Sequence, residues 1–371
     1  MNAEVQPIPF LDLTAEFRAL EREWLERIRA AGARGSFILG PEVAAFEREF
    51  AQYLGVKHAI AVANGTDSLV LSLRALDIGP GDEVITTPYS FFASSEAISA
   101  VGATPVYADI RPDSFTLDPE AVEAAITPRT RAILPVHIFG HACDMEALER
   151  IARRHGLAIV EDCAQAFGAR SGGRFVGAIG DCGSFSFYPT KVLGCYGDGG
   201  MVTTSSDAIN ERIRRLRNHG SSKPYLHSEL GYNSRLDEIQ AALLRLKLAR
   251  VEAAIAERRR IARAYEEQLA GSDIATPRAA AEAAHVYGVY TVRVPRRDAV
   301  RQTLTEAGVP TALYYPLGLH LQEVYARLGY RPGSMPVCEA LTSENLSLPI
   351  YPGMPAAHIE RVTAALRRAL G

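Results

Sequence analysis

Between about residues 58 and 205 the chain repeats one rhythm, in which short runs rich in β-branched and apolar residues alternate with helical patterns. The runs are HAIAVAN, DEVITTP, TPVYADI, RAILPVH, LAIVEDCA, GSFSFYP and GGMVTTS. Stretches such as AILPV and LAIV are apolar throughout, as befits strands covered on both faces, so the rhythm reads as βαβ units building a mainly parallel sheet. Such sheets gather ligand groups at the carboxyl ends of their strands. The intervening helical faces include Leu69, Leu73 and Leu76, and a segment from Met145 to Arg154 for which Asp144 is a fitting N-cap.

After Asn233 the pattern becomes one long amphipathic helix, carried by Ile239, Leu243, Leu246 and Val251 and running through AERRRIARAYEEQL to Gly271. The large domain is expected to end within it, giving residues 1–250 and a smaller α+β domain over 251–371. With 371 residues and 47% hydrophobic content, the chain is long enough for both cores. Arg258, Arg259 and Arg260 stand among glutamates and read as a solvated charged face.

A formal charge of -3 gives no pull toward nucleic acid or acidic membranes, so any bound phosphate must be met by local groups. No apolar run approaches the roughly 20 residues that cross a bilayer, and charged residues interrupt the first thirty positions. A cytoplasmic protein is expected. Five cysteines without a CxxC pair argue against disulfides and zinc. His137, His141, Cys143 and Asp144 form a second candidate metal box, but their spacing matches no zinc pattern, and a strand-to-helix loop accounts for them. No metal is expected, and no GxSxG, HExxH or Walker A segment is present.

Three segments carry chemistry. GSFSFYPTK breaks at Pro189 and delivers Lys191 into the glycine-rich GCYGDGG. A lone lysine is ordinarily surface charge; in a partly desolvated pocket its pKa falls and it can form a Schiff base. AIVEDCAQ ends an apolar strand in Glu161 and Asp162, with Gln165 three residues on. One of these acids, by strand alternation, can face the site and hold the proton of a pyridinium ring, as pyridoxal phosphate requires; capping the next helix is the ordinary alternative. In ANGTDSL, Asn64, Gly65 and Thr66 open a helix whose N–H groups can cradle phosphate, beside the hydroxyl of Ser186.

Taken in order, FLDL at Phe10, GPEVAAFE at Gly40, NGTDSL at Asn64, GDEVITTP at Gly81, VEDCAQAFGA at Val160, FSFYPTK at Phe185, GDGGMV at Gly197 and GYNSRLDEIQAA at Gly231 resemble the DegT/DnrJ/StrS family of sugar aminotransferases. The resemblance covers nearly the whole chain. It implies the aspartate aminotransferase-like fold type I, with a seven-stranded-type sheet flanked by helices and a smaller C-terminal α+β domain, in a homodimer with shared active sites. It also implies pyridoxal 5'-phosphate bound as an aldimine to Lys191, with Asp162 on the ring nitrogen. Gln165 would lie near the phenolic oxygen, Gly65, Thr66 and Ser186 on the phosphate, and Phe91 on the ring, with Phe92 its rival. Asn233 would reach the phosphate of the neighbouring subunit. Tyr315 and His320 in YYPLGLH are candidates for the sugar pocket, a core tyrosine and a surface histidine being the ordinary alternatives.

The activity implied is ping-pong transfer of an amino group from L-glutamate, which leaves 2-oxoglutarate and pyridoxamine phosphate, to a nucleotide-linked keto-sugar. GCYGDGG resembles members acting on 3-oxo sugars, while 4-oxo enzymes resemble a TTGEGG form; Val192 departs from the usual asparagine. A 4-oxo sugar or an aminocyclitol precursor remains an alternative acceptor. Some relatives are dehydratases with histidine in place of the lysine, and a non-catalytic sensor would keep the fold without the chemistry.

Overall fold

The computed structural model describes residues 7–278 and 283–371. Strands β1 (His58–Val62), β2 (Glu83–Thr86), β3 (Thr104–Tyr107), β4 (Thr130–Leu134), β5 (Ala158–Asp162), β6 (Cys182–Ser186) and β7 (Gly200–Thr204) form one seven-stranded sheet in the order β1-β7-β6-β5-β4-β2-β3. The β2–β3, β2–β4, β4–β5 and β5–β6 pairs are parallel, as the apolar runs predict. The exception is β7, antiparallel to both β1 and β6. Its reversal has a simple cause: a parallel return needs a crossover, usually helical, whereas segment 187–199 is a loop that stays at one edge of the sheet. Lys191 lies in that loop.

Both faces of the sheet are covered. Along β1, Ile60 and Val62 enter one buried cluster with Leu69, Leu73 and Val160, while Ala59 and Ala61 enter another with Phe46, Phe50, Phe185 and Leu243. A third cluster joins Tyr265, Val300 and Leu366 to β8 (Tyr290–Arg293) and β9 (Asn345–Leu348), an antiparallel pair. Asp144 does cap the helix Met145–His155, its carboxylate accepting from Ala147 N at 3.0 Å. All five cysteines are buried and outside any disulfide. No helix among the described residues is long and apolar enough to cross a membrane.

Two expectations are corrected. The long helix after Asn233 is two helices, Glu238–Leu248 and Val251–Leu269, broken at Ala249 and Arg250 without a glycine or proline to announce it. Arg258 is no part of a solvated face: it is buried and donates to the carbonyls of Tyr287 at 3.2 Å, Gly288 at 3.5 Å and Ile350 at 3.2 Å. Arg259 donates to the His285 carbonyl, and only Arg260 behaves as read, pairing with Glu257 on the helix surface.

Candidate active site

At the carboxyl edge of the parallel strands lies a cleft of about 870 Å³, lined by Asn64, Gly65, Thr66, Phe91, Asp162, Gln165, Ser186, Lys191 and Tyr315 among others. It draws these residues from positions far apart in the chain because β1, β5 and β6 all end there.

The anion cup forms first. Asn64, extended in backbone, caps the helix Gly65–Ala75 by accepting from Asp67 N at 2.8 Å. The N–H groups of Gly65 and Thr66 then remain without an acceptor among the described residues, at the positive end of the helix dipole. Gly65 is required by contact, since a Cβ there would stand 2.6 Å from Ser186 Cβ. Such an N-terminus with a serine hydroxyl alongside is suited to a phosphate dianion.

Strand alternation separates the two acids of β5. Glu161 points into the core, fully buried, and accepts from Gly177 N, Ile179 N, Gly180 N and His137 Nε2. His137 Nδ1 accepts from Cys143 N, so Nε2 carries the proton given to Glu161. Burial pushes the Glu161 carboxyl upward, but His137 and the backbone donors outweigh it and hold the group below its ordinary range. His137, Glu161 and Cys163 are near enough together to suggest a metal set, yet the imidazole and carboxylate are already committed to these hydrogen bonds.

Asp162, 5% exposed, turns to the cleft. It does not cap a helix: Oδ1 accepts from Ala164 N at 3.1 Å and Oδ2 from Ser94 Oγ at 2.8 Å. Burial raises its pKa, opposed by Ser94, Ala164 and the charge of Lys191. Lys191 follows a tight turn closed by its own N–H on the Tyr188 carbonyl at 2.9 Å. Burial lowers its pKa while Asp162 draws it back up, and its amine has no hydrogen-bond or ion-pair partner among the described residues. A lowered pKa favours the neutral, nucleophilic amine.

Gln165 is oriented by its neighbours. A backbone N–H can only donate, so Oε1 faces Phe139 N at 2.9 Å and the amide nitrogen donates to the Tyr315 hydroxyl at 3.1 Å. Tyr315 is thereby left to donate its own proton into the cleft. Phe91, 58% exposed, lines the cleft with its ring 6.3 Å from that of Tyr315, whereas Phe92 packs against Tyr325.

Two of the expected residues lie elsewhere. His320 is neither in the cleft nor on the surface: it is 1% exposed and hydrogen-bonded through Nε2 to Glu339 at 3.1 Å. The short helical turn Leu319–Leu321 tucks it against the helix Pro336–Glu344. Asn233 is exposed and outside its own chain's cleft, its backbone bridged to Asn218. Sequence reasoning missed Phe10, Leu11, Ser90, Ser94, Tyr188 and Asp198, all in the wall. Their one signal is membership of FLDL, PYSFFAS, FSFYPTK and GCYGDGG. The free amine, the buried carboxylate and the cup together fit pyridoxal phosphate, which has an aldehyde, a basic ring nitrogen and a phosphate to match them.

Comparison with known proteins agrees. Residues 18–367 match the model of the DegT/DnrJ/EryC1/StrS aminotransferase family. The sequence is 47% identical over 367 residues, 99% of this chain and 97% of the relative, to the dTDP-3-amino-3,4,6-trideoxy-alpha-D-glucose transaminase of Streptomyces venezuelae. It is 45% identical over 363 residues, 98% of each chain, to the UDP-N-acetyl-3-dehydro-alpha-D-glucosamine 3-aminotransferase of Acidithiobacillus ferrooxidans. Its fold matches the crystal structure of S. venezuelae DesV in complex with a ketimine intermediate at a TM-score of 0.96, with 47% identity and 98% of each chain covered.

Proposed function

Because the chain belongs to the DegT/DnrJ/EryC1/StrS aminotransferase family, we propose that its cleft uses pyridoxal phosphate to move an amino group from L-glutamate to the 3-oxo carbon of a nucleotide-linked sugar. The observation that carries this reading is the meeting of Lys191, Asp162 and the Gly65–Thr66 cup in one cleft. When bound, the cofactor supplies an electron sink for the carbanion at the amino-acid Cα. Lys191 would bind its aldehyde carbon with release of water, and Asp162 would hold the ring proton. Gly65, Thr66 and Ser186 take the phosphate, Phe91 covers the ring, and the Gln165–Tyr315 pair addresses the phenolic oxygen or the substrate. Once displaced by the donor, the Lys191 amine would take the Cα proton as a base and deliver it as an acid to the cofactor's exocyclic carbon, and the same transfers in reverse would place the amine on the sugar.

The 3-oxo preference is supported by GCYGDGG and by two relatives whose names place the amino or dehydro group at carbon 3. The reading includes a homodimer, in which the outward-lying Asn233 reaches the partner's cofactor phosphate, and a division into domains at 250/251. The break between the helices Glu238–Leu248 and Val251–Leu269 supports that boundary. The intact Lys191 favours transamination over a lyase or a sensor.

Purified protein should show the absorption band of a lysine-bound cofactor, and glutamate should move it. Lys191→Ala should abolish the band. Absence of the band from the wild type, or its persistence unchanged in Lys191→Ala, would refute the proposal. UDP-, GDP- and dTDP-linked 3-oxo and 4-oxo sugars assayed with glutamate then decide the acceptor, and faster turnover of 4-oxo sugars would reject the 3-oxo preference.

A further inference from the structure

Behind Asp162 stands a chain of two serines that the functional reading has not used. Ser90 and Ser94 belong to PYSFFASS, Ser94 in the first turn of the helix Ala93–Ala100 and Ser90 just before it. Both are buried, at 3% and 1% exposure. Their hydroxyl oxygens are 2.8 Å apart, and Ser94 Oγ is 2.8 Å from Asp162 Oδ2. The direction of this chain follows from counting protons. A carboxylate has none to give, so the single hydroxyl proton of Ser94 goes to Asp162. The Ser94 oxygen must then accept, and Ser90 is the donor.

The rest of Asp162 is equally constrained. Its N–H donates to the Pro135 carbonyl at 2.8 Å, its carbonyl accepts from His137 N at 3.0 Å, and Oδ1 accepts from Ala164 N. With Oδ2 on Ser94, neither the backbone nor the carboxylate plane is free to turn. Burial by itself would drive this carboxyl toward its neutral form, which cannot keep a proton on a neighbouring ring nitrogen. A hydrogen-bond donor on each oxygen stabilises the anion, and a chain of donors polarises its members.

We propose that Ser94, oriented by Ser90, is a positioning residue that keeps Asp162 ionised and aimed into the cleft, and through it sets the protonation of the cofactor ring. This rests on the reading of the cleft as a pyridoxal phosphate site with Asp162 on the ring nitrogen. In this role the two serines act through Asp162 rather than on the cofactor or substrate directly. Losing the donor raises the proton affinity of Asp162, so the shared proton moves from ring to carboxylate.

The test uses the holoenzyme loaded with pyridoxal phosphate carrying 15N in the ring, in wild type, Ser94→Ala and Ser90→Ala. The wild-type 15N resonance should lie in the pyridinium range. In Ser94→Ala it should move toward unprotonated pyridine at the same pH, with turnover falling on the order of tenfold to a hundredfold, as for loss of a hydrogen bond to a charged group. Ser90→Ala should move both in the same direction by less. A wild-type resonance position in folded Ser94→Ala overturns the proposal, whatever happens to its melting temperature. If Ser94→Ala does not fold, an unshifted resonance in Ser90→Ala overturns it instead. Failure of the wild type to bind the cofactor, or to protonate its ring, refutes the underlying reading of the cleft and is distinguishable from both.

Discussion

Gly65 offers the sharpest test of the anion cup, because the structure fixes what a single methyl group would do. A Cβ built on Gly65 lies 2.6 Å from Ser186 Cβ, 3.1 Å from its Oγ and 3.2 Å from its Cα. Non-bonded carbons settle at about 3.5–4.0 Å, so Gly65→Ala must part the helix N-terminus from the end of β6 by roughly 1 Å. Rotating Ser186 gives no relief, since its Cβ and Cα are fixed by the strand. Overpacking of this kind costs about 1–3 kcal/mol of stability. The larger effect falls on the phosphate, because a misplacement of about 1 Å can cost on the order of a hundredfold in a function that depends on the geometry. Apoprotein is titrated with pyridoxal phosphate and, separately, with pyridoxal, which has no phosphate. The wild-type preference for the phosphorylated form should fall on the order of tenfold to a hundredfold in Gly65→Ala, nearly all of it through weaker binding of that form. A preserved preference in a folded variant would refute the assignment of Gly65 and Ser186 to the phosphate.

Lys191→Met tests the buried amine without cofactor. Burial lowers the Lys191 pKa in the folded state, so between that value and the ordinary lysine value near 10.4 the unfolded chain holds more protons and wild-type apoprotein gains stability as pH rises. The variant should be the more stable near neutrality and lose this part of the pH slope; parallel denaturation profiles from pH 7 to 10 would contradict it. Glu161→Ala strips the acceptor from three backbone N–H groups and from His137. At about 1–3 kcal/mol per unsatisfied buried donor, urea unfolding should show a loss of roughly 4 kcal/mol or more, and a loss under about 1 kcal/mol would sink the account. His320→Ala should lower the melting temperature and leave KM for the sugar nucleotide unchanged; a raised KM at unchanged stability would return His320 to the substrate pocket.

The parts of the site that could be read from the sequence are those set by local pattern. Apolar runs located the strands, and alternation separated Glu161 from Asp162 because successive side chains on a strand point to opposite faces. The break at Pro189 followed by glycines marked the loop that holds Lys191. What stayed hidden depends on partners distant in sequence. Tyr315 meets Gln165 across 150 positions, and Ser94 meets Asp162 across 68. His320 looked like a surface residue because nothing nearby in its segment foretells Glu339. Arg258 looked solvated because its acceptors are backbone carbonyls, to which composition is blind. The reversal of β7 follows from a loop too irregular to cross the sheet, a property of geometry rather than residue type.

The four-donor pocket around Glu161 also bears on folding fidelity. Strand side chains alternate with a period of two, so a slip of β5 by one residue would exchange the faces of Glu161 and Asp162. Two adjacent carboxylates make that error chemically plausible. The pocket opposes it in either direction: one slip would seat the shorter Asp162 among the Gly177, Ile179, Gly180 and His137 donors and leave some unmet, and the other would seat apolar Val160 there and bring the longer Glu161 against Ser94. Seating Glu161 among its four donors therefore also fixes the register that turns Asp162 to the cleft, and a slipped strand would carry the cost of the donors left unmet.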